Sequence, residues 1–337
     1  MTSRATIVSF AIGVAIIFVL GSALIVAGGA EPIKTFTVMF RGSLANVRNI
    51  SETLIRFGPV AVIALGLVPS LRIGLFNIGA PGQIGIGSLF ATLVSLQLTD
   101  VPPLLALSLA GLAAALGGAL WALGPALLRA YLQVNEILST LVLNFLAVLF
   151  LSYLLTGPMK GKLSNIAQSD PLPIETWFPI IVPGTRAHLG LFLALVAAAA
   201  LALLQRSPLG YRLRLFGASP SLAKQAGADH RRMIIGTLCL SGAAAGIAGW
   251  MQLAGVDHRL YAEVASTVGY TGLFAALLGV LNPIGILVAS FAFAVLLRGG
   301  DSLQIGVGVS PEIISALVGM TLLVIATISA RTARGSR

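Results

Sequence analysis

Six amides and hydroxyls stand out in stretches that are otherwise apolar: Asn77, Gln83, Asn135, Ser139, Thr140 and Asn144, with the carboxyl group of Glu136 among them. An amide both donates and accepts hydrogen bonds, so this set suits a neutral, polyhydroxylated solute better than a charged one. Phe76, Phe145 and Tyr270, in similar surroundings, offer flat faces on which a planar base could stack. Taken singly, each amide is better explained by a bond between helices and each aromatic by a place at a lipid boundary. As a group they point to a solute pathway.

Other chemistry has few carriers. His188, His230 and His258 fall in loops, there is no H-E-x-x-H, and no paired aspartates occupy the apolar segments, which argues against an intramembrane hydrolase. Cys239 is the only cysteine, leaving no intrachain disulfide and no thiolate cluster for a metal. Gly157-Pro-Met-Lys-Gly-Lys162 imitates a phosphate-binding loop, but the spacing is short and no Ser or Thr follows the lysine. No metal, cofactor or ATP site is expected in this chain, and an ATP-driven process would need its motor elsewhere.

The elements that must position the amides follow from composition. Of 337 residues, 57% are hydrophobic and 9% charged, against about 25% charged in soluble domains. Uncharged runs near the roughly 20 residues that span a bilayer lie at 7–28, 104–128, 137–156 and 234–254, with others at 57–71, 73–99, 189–205, 269–297 and 313–330. The run 269–297 is too long for one crossing, and Asn282-Pro283 divides it. The expectation is an all-α, polytopic membrane protein of about ten transmembrane helices forming one domain over 1–337, its first segment an uncleaved signal-anchor. Glycines at 74, 79, 82, 85 and 87, with Pro81, predict a broken helix near residues 74–83, a feature that transporters often use at the binding site. In Ser241-Gly-Ala-Ala-Ala-Gly246 the small residues predict close helix packing with no direct part in solute contact.

The net charge of +10 is a matter of topology, not of nucleic acid. With both termini cytoplasmic and ten crossings, twelve Lys/Arg face two Asp/Glu on the cytoplasmic side, and nine face nine outside. Two external stretches are then long: residues 31–56, lying along the surface, and residues 157–188, an ordered loop without a core.

The cytoplasmic loop 206–232 predicts its own short helix. Ser219 is a good N-cap, Pro220 suits the first helical position and Gly227 the residue past the end, which frames residues 220–226. A capped helix in a basic loop suits docking to a partner; an ordinary topology-setting loop explains the charges equally well.

This loop, followed by Ser241-Gly-Ala-Ala-Ala-Gly-Ile-Ala-Gly249, resembles the coupling region of membrane subunits of ABC importers for ribose-type sugars and branched-chain amino acids. Gly74-Leu-Phe-Asn-Ile-Gly-Ala-Pro-Gly-Gln83 is similar to the motif of the nucleoside and simple-sugar branch, although Pro81 stands where members commonly carry an acidic residue. Val134-Asn-Glu-Ile-Leu-Ser-Thr-Leu-Val-Leu-Asn144 and the stretch from Tyr270 to Gly285 agree in order, so the likeness spans residues 57–326. Gly157-Pro-Met-Lys160 in the external loop resembles the larger of two paired permeases.

The resemblance implies a permease subunit of the bacterial plasma membrane that works by alternating access. Its implied partners are ATPase subunits holding ATP and Mg, a second permease, commonly a paralogue, and an extracytoplasmic lipoprotein that binds the solute. Gly210, Arg214, Gly217, Ser219, Pro220, Ala223 and Gly227 would couple to the ATPase. Phe76, Asn77, Gln83, Asn135, Glu136, Ser139, Asn144 and Tyr270 would line the solute's path. Branched-chain amino acids are the rival cargo within the family, and an ion-coupled carrier, with Glu136 as its one candidate relay, is the rival mechanism.

Overall fold

The computed structural model describes residues 19–23, 25–26, 29–162, 166–225, 227, 229–262, 266–306 and 319. Eleven helices carry the argument: α1 (Pro32–Leu44), α2 (Val47–Arg72), α3 (Ala80–Ser95), α4 (Pro103–Leu132), α5 (Glu136–Thr156), α6 (Phe192–Arg206), α7 (Pro208–Ala218), α8 (Pro220–Gln225), α9 (His230–Gln252), α10 (Ser266–Leu278) and α11 (Pro283–Gly306). Among the described residues there is no strand, only two isolated bridges, Gln168 with Tyr261 and Ile180 with His188.

Six of the described helical stretches are long and apolar enough to cross a membrane: Val47–Arg72, Pro103–Leu132, Glu136–Thr156, Leu189–Arg206, His230–Asp257 and Pro283–Leu303. Thr267–Leu278 is a shorter apolar helix, and α3 has only 16 residues, so the described part holds fewer full-length spans than the expected ten. The predicted first span falls largely, and the last almost wholly, outside the described residues. The division of 269–297 is as expected. Asn282 Oδ1 accepts from the amides of Ile284 and Gly285 and so caps α11 behind Pro283.

The chain divides into two compact units, residues 57–290 and the remainder. In the larger unit the packing is inverted relative to a soluble bundle. The buried face of α4 is Ala106, Ala110, Gly111, Ala114, Gly117, Gly118, Ala122 and Ala126, whereas Leu104 is 81% and Leu112 62% exposed. Small residues inside let backbones touch and leucines outside meet lipid, which is how helices associate where no hydrophobic driving force acts between them. A Cβ on Gly118 would fall 2.1 Å from the carbonyl oxygen of Gly242, and one on Gly246 2.1 Å from that of Ala114. α4 and α9 therefore meet backbone to backbone, and α3 joins them where Gly87 faces Gly246.

Two expectations about the external stretches change. Residues 31–56 form α1 and the start of α2, which begins at Val47, well ahead of the apolar run at residue 57. In this smaller unit Met39 of α1 lies against Gly299, Gly42 lies against Ser302, and Asp301 pairs with Arg56 and Arg298. The loop 157–188 does have a small core. Phe178 stacks on His188 at 5.2 Å and contacts Trp250 at 4.6 Å between ring centroids, and Trp177 stacks on His258 at 3.7 Å. The loop seats on a π-turn at Leu253–Asp257 through the Phe178 amide, which donates to the Ala254 carbonyl.

Candidate functional site

α2 ends because Gly74, at φ +80°, turns the chain into the left-handed region, and the Leu75 amide closes back on the Ser70 carbonyl. Residues 75–79 then form no regular structure before α3 begins at Ala80. The break predicted near 74–83 thus occupies 73–79, ahead of the helix and not within it. Non-helical backbone among transmembrane helices must have its polar groups met inside the protein. The amides singled out in the sequence do that.

Asn77 is fully buried. Its Nδ2 donates to Ser241 Oγ at 2.7 Å and to Gln83 Oε1 at 2.9 Å, while its Oδ1 accepts from the Gly79 amide at 2.9 Å and from Gln83 Nε2 at 3.1 Å. Asn144, one helix away on α5, accepts the Gly82 amide on its Oδ1 at 2.9 Å and donates through Nδ2 to the Ile78 carbonyl at 3.0 Å. Gly82 is the third residue of α3, so Asn144 satisfies one of the donors that every helix start leaves unpaired. It also reaches the Tyr270 hydroxyl at 3.4 Å.

Glu136 opens α5 from a buried position, paired with Arg129 of α4 at 3.3 Å and accepting the Phe76 amide at 3.5 Å. Thr140 donates to the Glu136 carbonyl at 2.7 Å. The structure therefore gathers Asn77, Gln83, Glu136, Asn144 and Tyr270 around one non-helical segment. Asn135 and Ser139 act locally instead: Asn135 Oδ1 caps α5 through the amides of Ile137 and Leu138, and Ser139 donates to the Glu136 carbonyl. Phe76 is partly exposed beside Glu136, whereas Phe145 is 67% exposed on the outer face of α5, away from the network.

Ser241 is the member that sequence reasoning missed. Gly242 and Gly246 pack as expected, but the hydroxyl between them and the chain break anchors Asn77. A lone polar side chain in a Gly/Ala helix was the available signal.

The loop after α6 holds two helices, not one. Ser207 caps α7, accepting the Gly210 amide at 3.2 Å, with Pro208 at the first helical position. Ser219 then starts α8, its carbonyl accepting from Ala223, and Gly227 at φ +76° stops it, its amide donating to the Lys224 carbonyl. α8 as described covers Pro220–Gln225, one residue short of the predicted end, and Ala226 lies outside the described residues. Gly217 sits so close to the Arg72 carbonyl that a Cβ would lie 2.0 Å from it, Gly210 is similarly tight against Leu204, and Arg214 donates to the Gln205 carbonyl at 2.7 Å. Ala223 faces inward, in a cluster with Ile73, Leu75, Ala130, Leu213, Phe216, Met233 and Ile234. The outward face of α8 is Ser221, Leu222, Lys224 and Gln225.

Residues 49–326 match the family described as the branched-chain amino acid transport system / permease component. The chain belongs to this permease family. A glucose ABC transporter permease of Haloferax volcanii is 35% identical over 90% of this chain and 83% of its own length. A nucleoside ABC transporter permease of Lactococcus lactis is 28% identical over 92% of the chain and 87% of its own length. A guanosine ABC transporter permease of Bacillus subtilis is 29% identical over 91% and 89%. No solved structure gives a significant match. Family membership makes this a membrane permease component of an ABC transport system.

Proposed function

We propose that this permease carries nucleosides inward across the plasma membrane of a bacterium, as one of two permease subunits driven by separate ATPases. A lipoprotein outside delivers the solute, the second permease is a paralogue, and ATP and Mg are held by the ATPases alone. Ten crossings place both termini in the cytoplasm, with loop 206–232 on the same side.

The observation that carries the coupling is the cluster shared by Ala223, Phe216 and Leu213 of the loop with Ile73 and Leu75 of the broken segment. Force on α7 and α8 reaches residues 73–75 through packed side chains, and Asn77 is two residues further on. Nucleoside cargo is supported by the two nucleoside-type relatives and by the pairing of Glu136 to Arg129, which removes the network's carboxylate as a counter-charge. A glucose-type sugar is the second reading, favoured by the Haloferax relative. A zwitterionic amino acid would need counter-charges for both termini, and the network's charged groups, Glu136 and Arg129, are already paired with each other.

Uptake of labelled nucleosides, glucose, ribose and leucine, in cells expressing the permease with its companion subunits, tests the reading. ATP-dependent nucleoside uptake is the expected result; glucose or leucine uptake would move the cargo. Uptake that persists with an inactive ATPase and collapses with a proton uncoupler or in Glu136→Gln would instead make this an ion-coupled carrier.

A further inference from the structure

A cavity of about 510 Å³ opens between the broken segment, the end of α4, the start of α9 and α7, lined by Gly74, Leu75, Arg129, Tyr131, Phe216, His230 and Arg231 among others. Its size is that of a small-ligand site. Arg129 and Arg231 stand on its polar wall, and the placement of Arg231 runs against local electrostatics. Arg231 and Arg232 occupy the first turn of α9, where the helix dipole disfavours positive charge. Asp229 offsets only part of this: it caps α9 through the amides of Arg231 and Arg232 and pairs with the Arg232 side chain at 3.5 Å. Arg231 lies over the Tyr131 ring, 4.6 Å from its centroid, with no ion-pair partner among the described residues. His230 stacks on Phe216 at 4.9 Å. Arg129 is 36% exposed and shares its one carboxylate, Glu136, with the Phe76 amide.

An arginine without an ion-pair partner among the described residues, beside aromatic faces at a helix start whose dipole attracts anions, suits a phosphate ester borne on a flat ring. We propose that this cavity binds a nucleoside monophosphate from the cytoplasm and slows transport when it is filled. The inference rests on the orientation and cargo proposed above. An imported nucleoside is consumed by phosphoryl transfer to its 5′-hydroxyl, and the product carries the charge that the cavity lacks. The ligand would touch Phe216 of α7 and Leu75 of the broken segment together, the two parts through which the ATPase stroke is proposed to pass. Occupancy would hold them in one arrangement.

The test uses the assembled transporter in zwitterionic nanodiscs, with a non-hydrolysable ATP analogue saturating the ATPase sites, and AMP, adenosine and inorganic phosphate as probes. AMP should bind at least tenfold more tightly than adenosine. Arg231→Gln should weaken AMP at least tenfold, Arg231→Lys should keep most of the affinity, and the control Arg206→Gln should leave it unchanged. Thermal melts of each variant exclude misfolding. AMP binding that ignores Arg231→Gln overturns the proposal. So does binding lost when anionic lipid is added, which would assign the cavity to a lipid headgroup, or dissociation of the ATPases by Arg231→Gln, which would make it a subunit contact. The transport reading fails separately: a complex that carries only glucose yet binds AMP through Arg231 keeps the site and loses the cargo, whereas nucleoside uptake without such binding does the reverse.

Discussion

The Asn77 carboxamide and the Ser241 hydroxyl, 164 positions apart in sequence, meet at 2.7 Å and tie the non-helical segment before α3 to the middle of α9. Asn77→Ala would leave the Gly79 amide and Gln83 without a buried partner, a loss of about 2–3 kcal/mol. Ser241→Ala removes one neutral bond and costs about 1 kcal/mol. Thermal unfolding of the detergent-solubilised protein should rank them in that order. Equal melting temperatures for Asn77→Ala and wild type would show that Asn77 does not hold the break.

Gly118→Ala and Gly246→Ala should each prevent recovery of monodisperse protein, because the added methyl meets backbone oxygen at 2.1 Å and neither helix can yield locally. Gly236→Ala is the control: nothing lies within 4 Å of its Cβ position. Size-exclusion profiles of tagged protein from membranes decide between them. A normal profile for Gly118→Ala would contradict the α4–α9 contact.

Leu222→Asp and Ala223→Leu should separate docking from folding. Leu222 is 49% exposed and Ala223 fully buried. Replacing Leu222 should abolish copurification of the ATPase at an unchanged melting temperature, whereas enlarging Ala223 should overpack the cluster and lower stability by about 1–3 kcal/mol. Retained ATPase in Leu222→Asp would move the docking face elsewhere in the loop.

Acid should loosen the loop 157–188. His188 is buried, with neither ring nitrogen hydrogen-bonded, and burial, then the neighbouring His258, lowers its pKa to about 4. The unfolded chain binds this proton near pH 6.5 and the folded one does not, so the contribution is complete above about 6.5 and declines as pH falls toward about 4. The total is on the order of 3 kcal/mol. Melting temperature against pH should show this slope in wild type and a flatter one in His188→Phe; identical slopes would remove His188 as the cause.

The Ser-Pro pairs show how far a local signal reaches. Ser219-Pro220 predicts α8, and Gly227 its end, because caps act within one turn. Ser207-Pro208 carries the same signal for α7, but the apolar run ending at residue 205 and the basic residues after it draw attention to topology instead. The start of α2 at Val47 was hidden for a related reason: Arg48, Glu52 and Arg56 interrupt the hydropathy that marks a span, yet helices continue through charged residues when partners such as Asp301 receive them.

By itself, the sequence determined the membrane setting, the helical class, the break around Asn77 and the permease family, since hydropathy, glycine, proline and caps act over a few residues. Tertiary structure alone decided what the amides do. Whether Asn77 and Asn144 face a solute or a backbone depends on where the Ser241 hydroxyl, the Gly82 amide and the Ile78 carbonyl arrive, and those positions follow from glycine contacts between helices far apart in the chain. The same close packing turned Ala223 inward, because only a methyl fits between α8 and the cluster that joins it to Ile73 and Leu75.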